Sequence, residues 1–203
     1  MTPSTDEMSR DGYRANAGDR CYFCKAELLD VLTPLAAQLG VATIATGTNA
    51  DDAVAGFRPG IRAAAERGAI TPLRDAGLTK AEIRSASRQW GLPTWDKPAA
   101  ACLSSRIAYG IEVTPTRLAR VERAEAALKA ALTAAGIAVR NVRVRDLGER
   151  ARVEVDAEYV DDVVARPELL AAVRRDFSEV EIDPRGFRSG AMNELLAHPQ
   201  HYR

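Results

Sequence analysis

From Asp19 onward, apolar residues recur at threes and fours. Phe23, Leu28, Val31, Leu32, Leu35 and Leu39 form a helical stripe that Gly40 closes, with Asp19 placed to cap it. The period then changes. Val41 to Thr46 is a short apolar run between two glycines and predicts a buried strand. Helix, glycine, strand, glycine is the rhythm of an α/β domain around a parallel sheet. Ile61–Arg67 predicts a short helix, and Thr79-Lys80-Ala81-Glu82 is a capping box for another that runs to Trp90. Thr114 and Pro115 open the longest helix, with Leu118, Val121, Ala124, Leu128 and Leu132 as its stripe and Gly136 as its end. Alternating strands at about 138–146 and 151–156 follow, joined by a turn at Leu147-Gly148-Glu149. A helix near 167–175 and a strand near 179–183 complete the pattern. The texture shifts from βα alternation to mixed elements near Thr114. The expected division is therefore an α/β domain at residues 1–112 and a smaller α+β domain at 113–203. Residues 1–18 are polar and read as a mobile tail.

Composition narrows the class. The 203 residues carry 28 basic and 28 acidic groups and 46% hydrophobic residues, enough for a sizeable core. A zero net charge argues against holding nucleic acid by bulk charge. No run of about 18 apolar residues marks a membrane span, and the opening MTPSTDEMSR has no secretory h-region. Three cysteines, an odd number, then predict reduced thiols in a cytoplasm.

Those thiols are the first candidate chemistry. Cys21 and Cys24 stand one helical turn apart, so both sulfurs can reach one ligand. Two small core residues, half of a zinc site and part of an iron–sulfur cluster are the readings of that pair. Zinc needs four ligands, and the only histidines are His198 and His201 near the C-terminus. Cys102 lies in a long irregular stretch, 92–112, beside Ser104, Ser105 and Arg106; such loops are commonly functional. A neighbouring cation favours the reactive thiolate, so Arg106 and Lys97 are the candidate partners, and an inert buried cysteine is the plainer alternative. Gly47-Thr48-Asn49-Ala50-Asp51-Asp52 ends the expected strand, where α/β sheets bind nucleotides; the same letters also write an Asx-turn and a capped helix. Asn141, Arg143 and Arg145 share one strand face and Arg152, Glu154 and Asp156 another. Paired arginines suit a phosphate or carboxylate, while a solvated salt-bridge face is the default for such a pattern. The Gly-punctuated DPRGFRSGAMNE at 183–194 reads as an anion loop or a C-terminal clasp.

Taken in order, DRCYFCK, GTNADD with FRPG, GLTKAEIR through GLPTWDKPAAACLSSRIAYG, RVR, ARVEV and DPRGFRSGAMNE resemble the ATP-dependent sacrificial sulfur transferases (LarE) of the PP-loop, or N-type ATP pyrophosphatase, superfamily. The resemblance runs from Asp19 to Glu194. It implies a PP-loop parallel-sheet domain followed by a smaller α+β domain. One feature departs from the pattern: the family's opening SGGxDS loop, which cradles the ATP pyrophosphate, has no counterpart here. A truncated ATP domain is the expectation.

The resemblance implies an activity. Such enzymes adenylate a carboxylate of pyridinium-3,5-biscarboxylic acid mononucleotide with ATP and Mg2+, then convert it to the thiocarboxylate used in nickel-pincer cofactor assembly for lactate racemase. Cys102 corresponds to the sulfur-donating cysteine and Arg106 to the arginine beside it. Cys21, Cys24 and Cys102 correspond to the ligands of a [4Fe-4S] cluster in a three-cysteine version. Gly47, Asn49 and Asp51 would meet the nucleotide, and Arg143 and Arg145 the substrate phosphate. Glu154 with Asp161 or Asp162, completed by Glu122 or Glu125, would form an acidic metal cluster near a subunit interface of a homo-oligomer, with Glu125, Glu154 and Asp162 as the set taken. A small-molecule substrate, with no nucleic acid and no membrane, follows from the same likeness. A non-catalytic iron–sulfur or zinc-binding fragment and a tRNA thiolase are the competing functional readings.

Overall fold

The computed structural model describes residues 2–56, 58–97 and 101–196. It is mixed α/β, about half helical, with one three-stranded sheet. Two compact units divide the described residues, one within 2–97 and the other within 101–196. The second unit therefore takes in residues 101–112, which the sequence reading assigned to the first.

The first unit is helical. Its elements are α1 (Asp11–Arg14), α2 (Arg20–Gln38), α3 (Ala50–Val54), α4 (Pro59–Glu66), α5 (Pro72–Asp75) and α6 (Lys80–Gln89). The leading residues are not a tail. Glu27 on α2 accepts bonds from the Asp6 N–H at 3.1 Å and Arg10 Nε at 2.7 Å, and Tyr13 and Asn16 are buried. This docking also shifts the buried face of α2. Ala26, Glu27 and Leu29 are inside, while the expected stripe is half-buried or, at Leu39, 56% exposed. A buried carboxylate disguises the core face as polar, so periodicity points to the wrong side. Helix α4 packs on α2 through Gly60, where an added Cβ would come within 3.3 Å of the Cys21 carbonyl oxygen.

The expected buried strand at 41–46 does not form. A single parallel bridge joins Ala45 to Ile70, through Thr46 N–H to Ile70 O and Ile70 N–H to Ile44 O, both at 2.9 Å. With one bridging segment beside it, the run stays open, and Val41 is 49% exposed. Among the described residues the first unit holds no parallel sheet.

The second unit has a sheet backed by a helix. Thr114 caps α7 (Pro115–Ala134) by accepting a bond from the Arg117 N–H. Val121, Ala124, Leu128 and Leu132 of α7 are fully buried against the sheet. Strand β1 (Val142–Asp146) pairs antiparallel with β2 (Arg150–Val155), and β2 pairs parallel with β3 (Glu179–Ile182). Val142, Val144, Val153 and Val155 face the helix, so Arg143, Arg145 and Glu154 necessarily take the opposite face. The first strand starts later than expected because Asp156 holds the Arg140 and Asn141 N–H groups, at 2.6 and 3.0 Å, outside the ladder. The expected helix at 167–175 is two 3-10 turns, Pro167–Ala171 and Val173–Arg175, and a short helix α8 (Val160–Val164) precedes them.

One glycine fixes the return of the chain after β3. Gly186 has φ +66°, and a Cβ there would lie 2.7 Å from Ala157 Cα and 2.8 Å from Val155 O. Both neighbours are backbone and cannot swing away. We expect Gly186→Ala to cost about 3 kcal/mol, from the left-handed backbone and the collision together. Urea denaturation of wild type and variant checks it; a loss under about 1 kcal/mol would mean that the turn relaxes freely.

Candidate functional site

Cys102 is exposed and caps a 3-10 turn at Leu103–Arg106. Its Sγ lies 3.0 Å from the buried Ser104 hydroxyl. Pro98, Ala99 and Ala100 of the same loop lie outside the described residues. Arg106 is only 5% exposed, and its guanidinium organises the turn. Nη1 donates to the carbonyl oxygens of Ala101 at 2.7 Å and Cys102 at 2.9 Å, and to Ser105 Oγ. Nε and Nη2 form a fork onto Glu125 of α7, at 2.8 and 3.2 Å. Such forked, charge-assisted pairs fix direction as well as distance. Arg106 thus holds the backbone of the cysteine rather than offering a loose charge to its surroundings. Glu125 Oε1 also accepts the Val144 N–H at 3.0 Å, which fastens the clamp to the open edge of β1. Ala108 closes that edge further by donating to Asp146 O at 2.9 Å.

The arginine face of the sheet is buried rather than solvated. Arg145 and Glu154 are 5% and 1% exposed and joined by two bonds of 2.9 and 2.6 Å. Arg145 Nη1 also reaches the Ser105 carbonyl at 3.2 Å. The loop carrying Cys102 is therefore gripped at the carbonyls of 101, 102 and 105 by two buried arginines. Arg143 differs from its neighbour. It has no ion pair among the described residues, donates to the Val142 carbonyl and lies over the Phe187 ring at 5.1 Å. Burial pulls its guanidinium below the ordinary arginine range, and the nearby Arg106 and Arg145 add to the shift. An anion placed beside this half-buried cation would offset its desolvation.

The acidic residues are otherwise occupied. Glu125 and Glu154 are each committed to an arginine, and Asp162 is exposed on α8. Among the described residues no three His, Cys, Asp or Glu side chains gather as a metal site. In the first unit, Cys21 is exposed and Cys24 half-buried near the start of α2, one turn apart, a placement that fits two ligands of one group. His198 and His201 lie outside the described residues. Asn49 caps α3 by accepting the Asp52 N–H at 3.0 Å, and the Asp52 carboxylate accepts the Asn49 N–H in return. Asp51 accepts the Lys80 N–H at 2.7 Å, and the Gly47 backbone is open. The Asx-cap reading of that segment is thereby realised.

Two features escaped the sequence. Phe187 supplies the ring beneath Arg143, which only the turn at Gly186 brings there. A pocket of about 280 Å³ between α7 and β1 is lined by Leu103, Glu122, Glu125, Lys129, Arg140 and Arg143 among others. The spacing of Glu122, Glu125 and Lys129 along one helical face is the signal that could have found it.

Known proteins share most of this chain. No family model matches. An uncharacterised protein of Synechocystis sp. is 42% identical over 196 residues, 95% of this chain and 70% of that one. The pyridinium-3,5-bisthiocarboxylic acid mononucleotide synthase of Lactiplantibacillus plantarum is 31% identical over 197 residues, 96% of this chain and 69% of that one. The chain belongs to the pyridinium-3,5-bisthiocarboxylic acid mononucleotide synthase family. An uncharacterised protein of Methanocaldococcus jannaschii, 26% identical over 155 residues, covers 76% of this chain and 58% of its own length. Among the described residues of this family member no helix is long and apolar enough to cross a membrane.

Within 183–194 the charged side chains of this synthase-family chain pair with one another. Arg188 and Arg185 both pair with Glu194, and Asp183 accepts the Arg185 N–H at 2.9 Å. The Arg188 pairing holds the Glu194 carboxyl down at about 2. A depressed carboxylate contributes stability above its ordinary pKa, and that contribution fades as pH falls from the ordinary glutamate range through about 2. Carboxyl NMR titration is expected to show Glu194 ionised throughout the usual glutamate window, and Arg188→Ala to move its midpoint up toward the ordinary value. An unmoved midpoint in the variant would remove Arg188 as the cause.

Proposed function

We propose that this chain is an ATP-dependent sulfur transferase of nickel-pincer nucleotide assembly, making the bisthiocarboxylic acid from pyridinium-3,5-biscarboxylic acid mononucleotide. The observation that carries the reading is an exposed cysteine on a loop gripped by buried Arg106, in a chain of the synthase family. The chemistry runs in three steps. A substrate carboxylate oxygen attacks the α-phosphorus of ATP, which arrives with its Mg2+; pyrophosphate leaves and an acyl-adenylate forms. The Cys102 thiolate attacks the acyl carbon, AMP leaves, and a thioester forms. Loss of the Cys102 Cα proton then breaks the Cβ–S bond. The sulfur departs with that bond's electron pair as thiocarboxylate, and dehydroalanine remains. One chain gives one sulfur by this route.

Residue roles follow from the bonds described. Arg106 is a positioning residue that fixes the Cys102 backbone. Arg143 meets the substrate phosphate, and Arg145, tied to Glu154, supports the same face from beneath. Gly47, Asn49 and Asp51 belong to the nucleotide side in a PP-loop-type ATP domain. By the family resemblance Cys21 and Cys24, with Cys102, would hold a [4Fe-4S] cluster, which when bound would supply sulfide as a second sulfur source; no such group gathers among the described residues, so no step is routed through it. The acidic residues Glu125, Glu154 and Asp162 do not gather within the described chain, so no step is routed through a metal they hold. A cytoplasmic homo-oligomer acting on a small molecule completes the reading.

The test uses the full chain with ATP, Mg2+ and pyridinium-3,5-biscarboxylic acid mononucleotide. Peptide mass spectrometry should show Cys102 lighter by the mass of one hydrogen sulfide molecule, matched by thiocarboxylate in solution. An unchanged Cys102 beside newly formed thiocarboxylate would overturn its role as donor; no thiocarboxylate at all would overturn the activity.

A further inference from the structure

The two hydroxyls beside Cys102 have separate duties. The Ser105 hydroxyl donates to the Cys102 carbonyl oxygen at 2.7 Å and belongs to the backbone clamp. The Ser104 hydroxyl lies 3.0 Å from the Cys102 sulfur instead. Ser104 is 1% exposed and Cys102 exposed, so the contact joins a hydroxyl shielded from water to a thiol that solvent reaches. The turn that carries both is bonded throughout. The Ser105 N–H donates to Cys102 O at 3.0 Å and the Ile107 N–H to Ser104 O at 3.2 Å. Arg106 and Arg145 grip the carbonyls of 101, 102 and 105 from outside the turn. Hydroxyl and sulfur are thus held at bonding distance by the backbone, before any substrate arrives.

Either atom can donate while the sulfur is a thiol. A thiolate has no proton, so toward it the hydroxyl must donate. A hydrogen bond to a charged acceptor is about twice as strong as a neutral one, so the contact favours the anion. It does so at a cost, because a stabilised thiolate is a weaker nucleophile. The same donor serves the sulfur again when the Cβ–S bond breaks. The Cα proton passes to solvent water, the sulfur takes the bond's electron pair, and negative charge grows on the atom that the hydroxyl already touches. A donor fixed in advance toward developing charge lowers the barrier without reorganisation.

We infer that Ser104 is a catalytic residue: its hydroxyl donates to the Cys102 sulfur, first as thiolate and then as the departing thiocarboxylate. The departure half rests on the sulfur-transfer reading. The hold on the thiolate rests on the contact and the buried turn alone.

Alkylation of Cys102 by iodoacetamide in the reduced full chain tests it without any substrate, read on the Cys102 peptide by mass spectrometry across pH. Ser104→Ala should have about tenfold less thiolate near neutral pH and about threefold greater nucleophilicity per thiolate, and so react about threefold more slowly there. At the alkaline plateau, where every thiol is ionised, the same variant should react about threefold faster than wild type. That crossing separates a donor to sulfur from a merely structural serine. The charged groups bonded to the turn, Arg106 with its partner Glu125 and Arg145, are the same in both proteins. Ser105→Ala, which removes a bond to the carbonyl and none to the sulfur, should stay within about twofold of wild type at both ends. Equal rates for Ser104→Ala and wild type, slowing by one factor at both ends, or the same crossing in Ser105→Ala would each overturn the inference. The sulfur-transfer reading fails by a different result, the absence of thiocarboxylate from the complete reaction, so the two can fall separately.

Discussion

Glu154→Ala is expected to destabilise the protein by about 3–5 kcal/mol, the usual effect of stranding one partner of a buried ion pair. Arg145 is 5% exposed and spends two of its bonds on Glu154, at 2.9 and 2.6 Å. Truncation leaves that guanidinium facing a hole, with the Ser105 carbonyl as its one remaining acceptor among the bonds described. The desolvation cost of the charge then stands without its compensation. The pair itself need not be a large net stabiliser, because burying two charges costs nearly as much as their attraction returns. The double variant Arg145→Met, Glu154→Leu should therefore recover most of the loss. Urea melts of the wild type, the single variant and the double variant settle it. A single variant within about 1 kcal/mol of wild type would mean that water reaches the guanidinium. A double variant as weak as the single would mean that shape, not charge, is the problem.

The second large effect is on chemistry. Cys102→Ser should abolish thiocarboxylate formation when no sulfide is supplied, because a serine ester carries no sulfur to release. Adenylation precedes the cysteine step, so ATP-dependent pyrophosphate release should persist. Stability should stay within about 0.5 kcal/mol of wild type, since the side chain is exposed. Product mass spectrometry and a pyrophosphate assay read the two arms separately. Thiocarboxylate made by this variant without added sulfide would move the donor elsewhere. Because Cys102 is also a proposed cluster ligand, iron–sulfur reconstitution with sulfide should not restore thiocarboxylate formation to this variant; restoration would remove Cys102 from the proposed ligand set.

Elements were legible where local chemistry decides them. The capping box at Thr79, the Thr114–Pro115 start of α7 and the alternation in β1 and β2 each depend on neighbours a few residues away, and each formed. What depended on distant chain was not legible. Leu28, Val31 and Leu35 look like a core stripe, yet residues 5–16 dock on another face through Glu27. The run at 41–46 has a strand's letters and one bridging partner. The same division holds at the site. Cys102 and Arg106 stand four residues apart, so their association is readable. The fork from Arg145 to Glu154 is diagonal, since the register sets Glu154 opposite Arg143 and Arg152 opposite Arg145. Only register, and the turn at Gly186 that lays Phe187 on Arg143, turns an apparent surface face into a buried one.

The grip on the Cys102 loop runs through carbonyl oxygens of the backbone, while the Cys102 side chain itself is tied through its Sγ to Ser104. A residue held this way can change its chemical identity without releasing its neighbours. A chain that has given up its sulfur would keep its loop, its arginines and its pocket, and would go on binding substrate without transforming it. In a population of single-use molecules, the used ones then become competitive inhibitors of the fresh ones. Output would depend on how fast fresh protein is made relative to how fast used protein is removed, so synthesis and proteolysis, rather than turnover number, would set the flux.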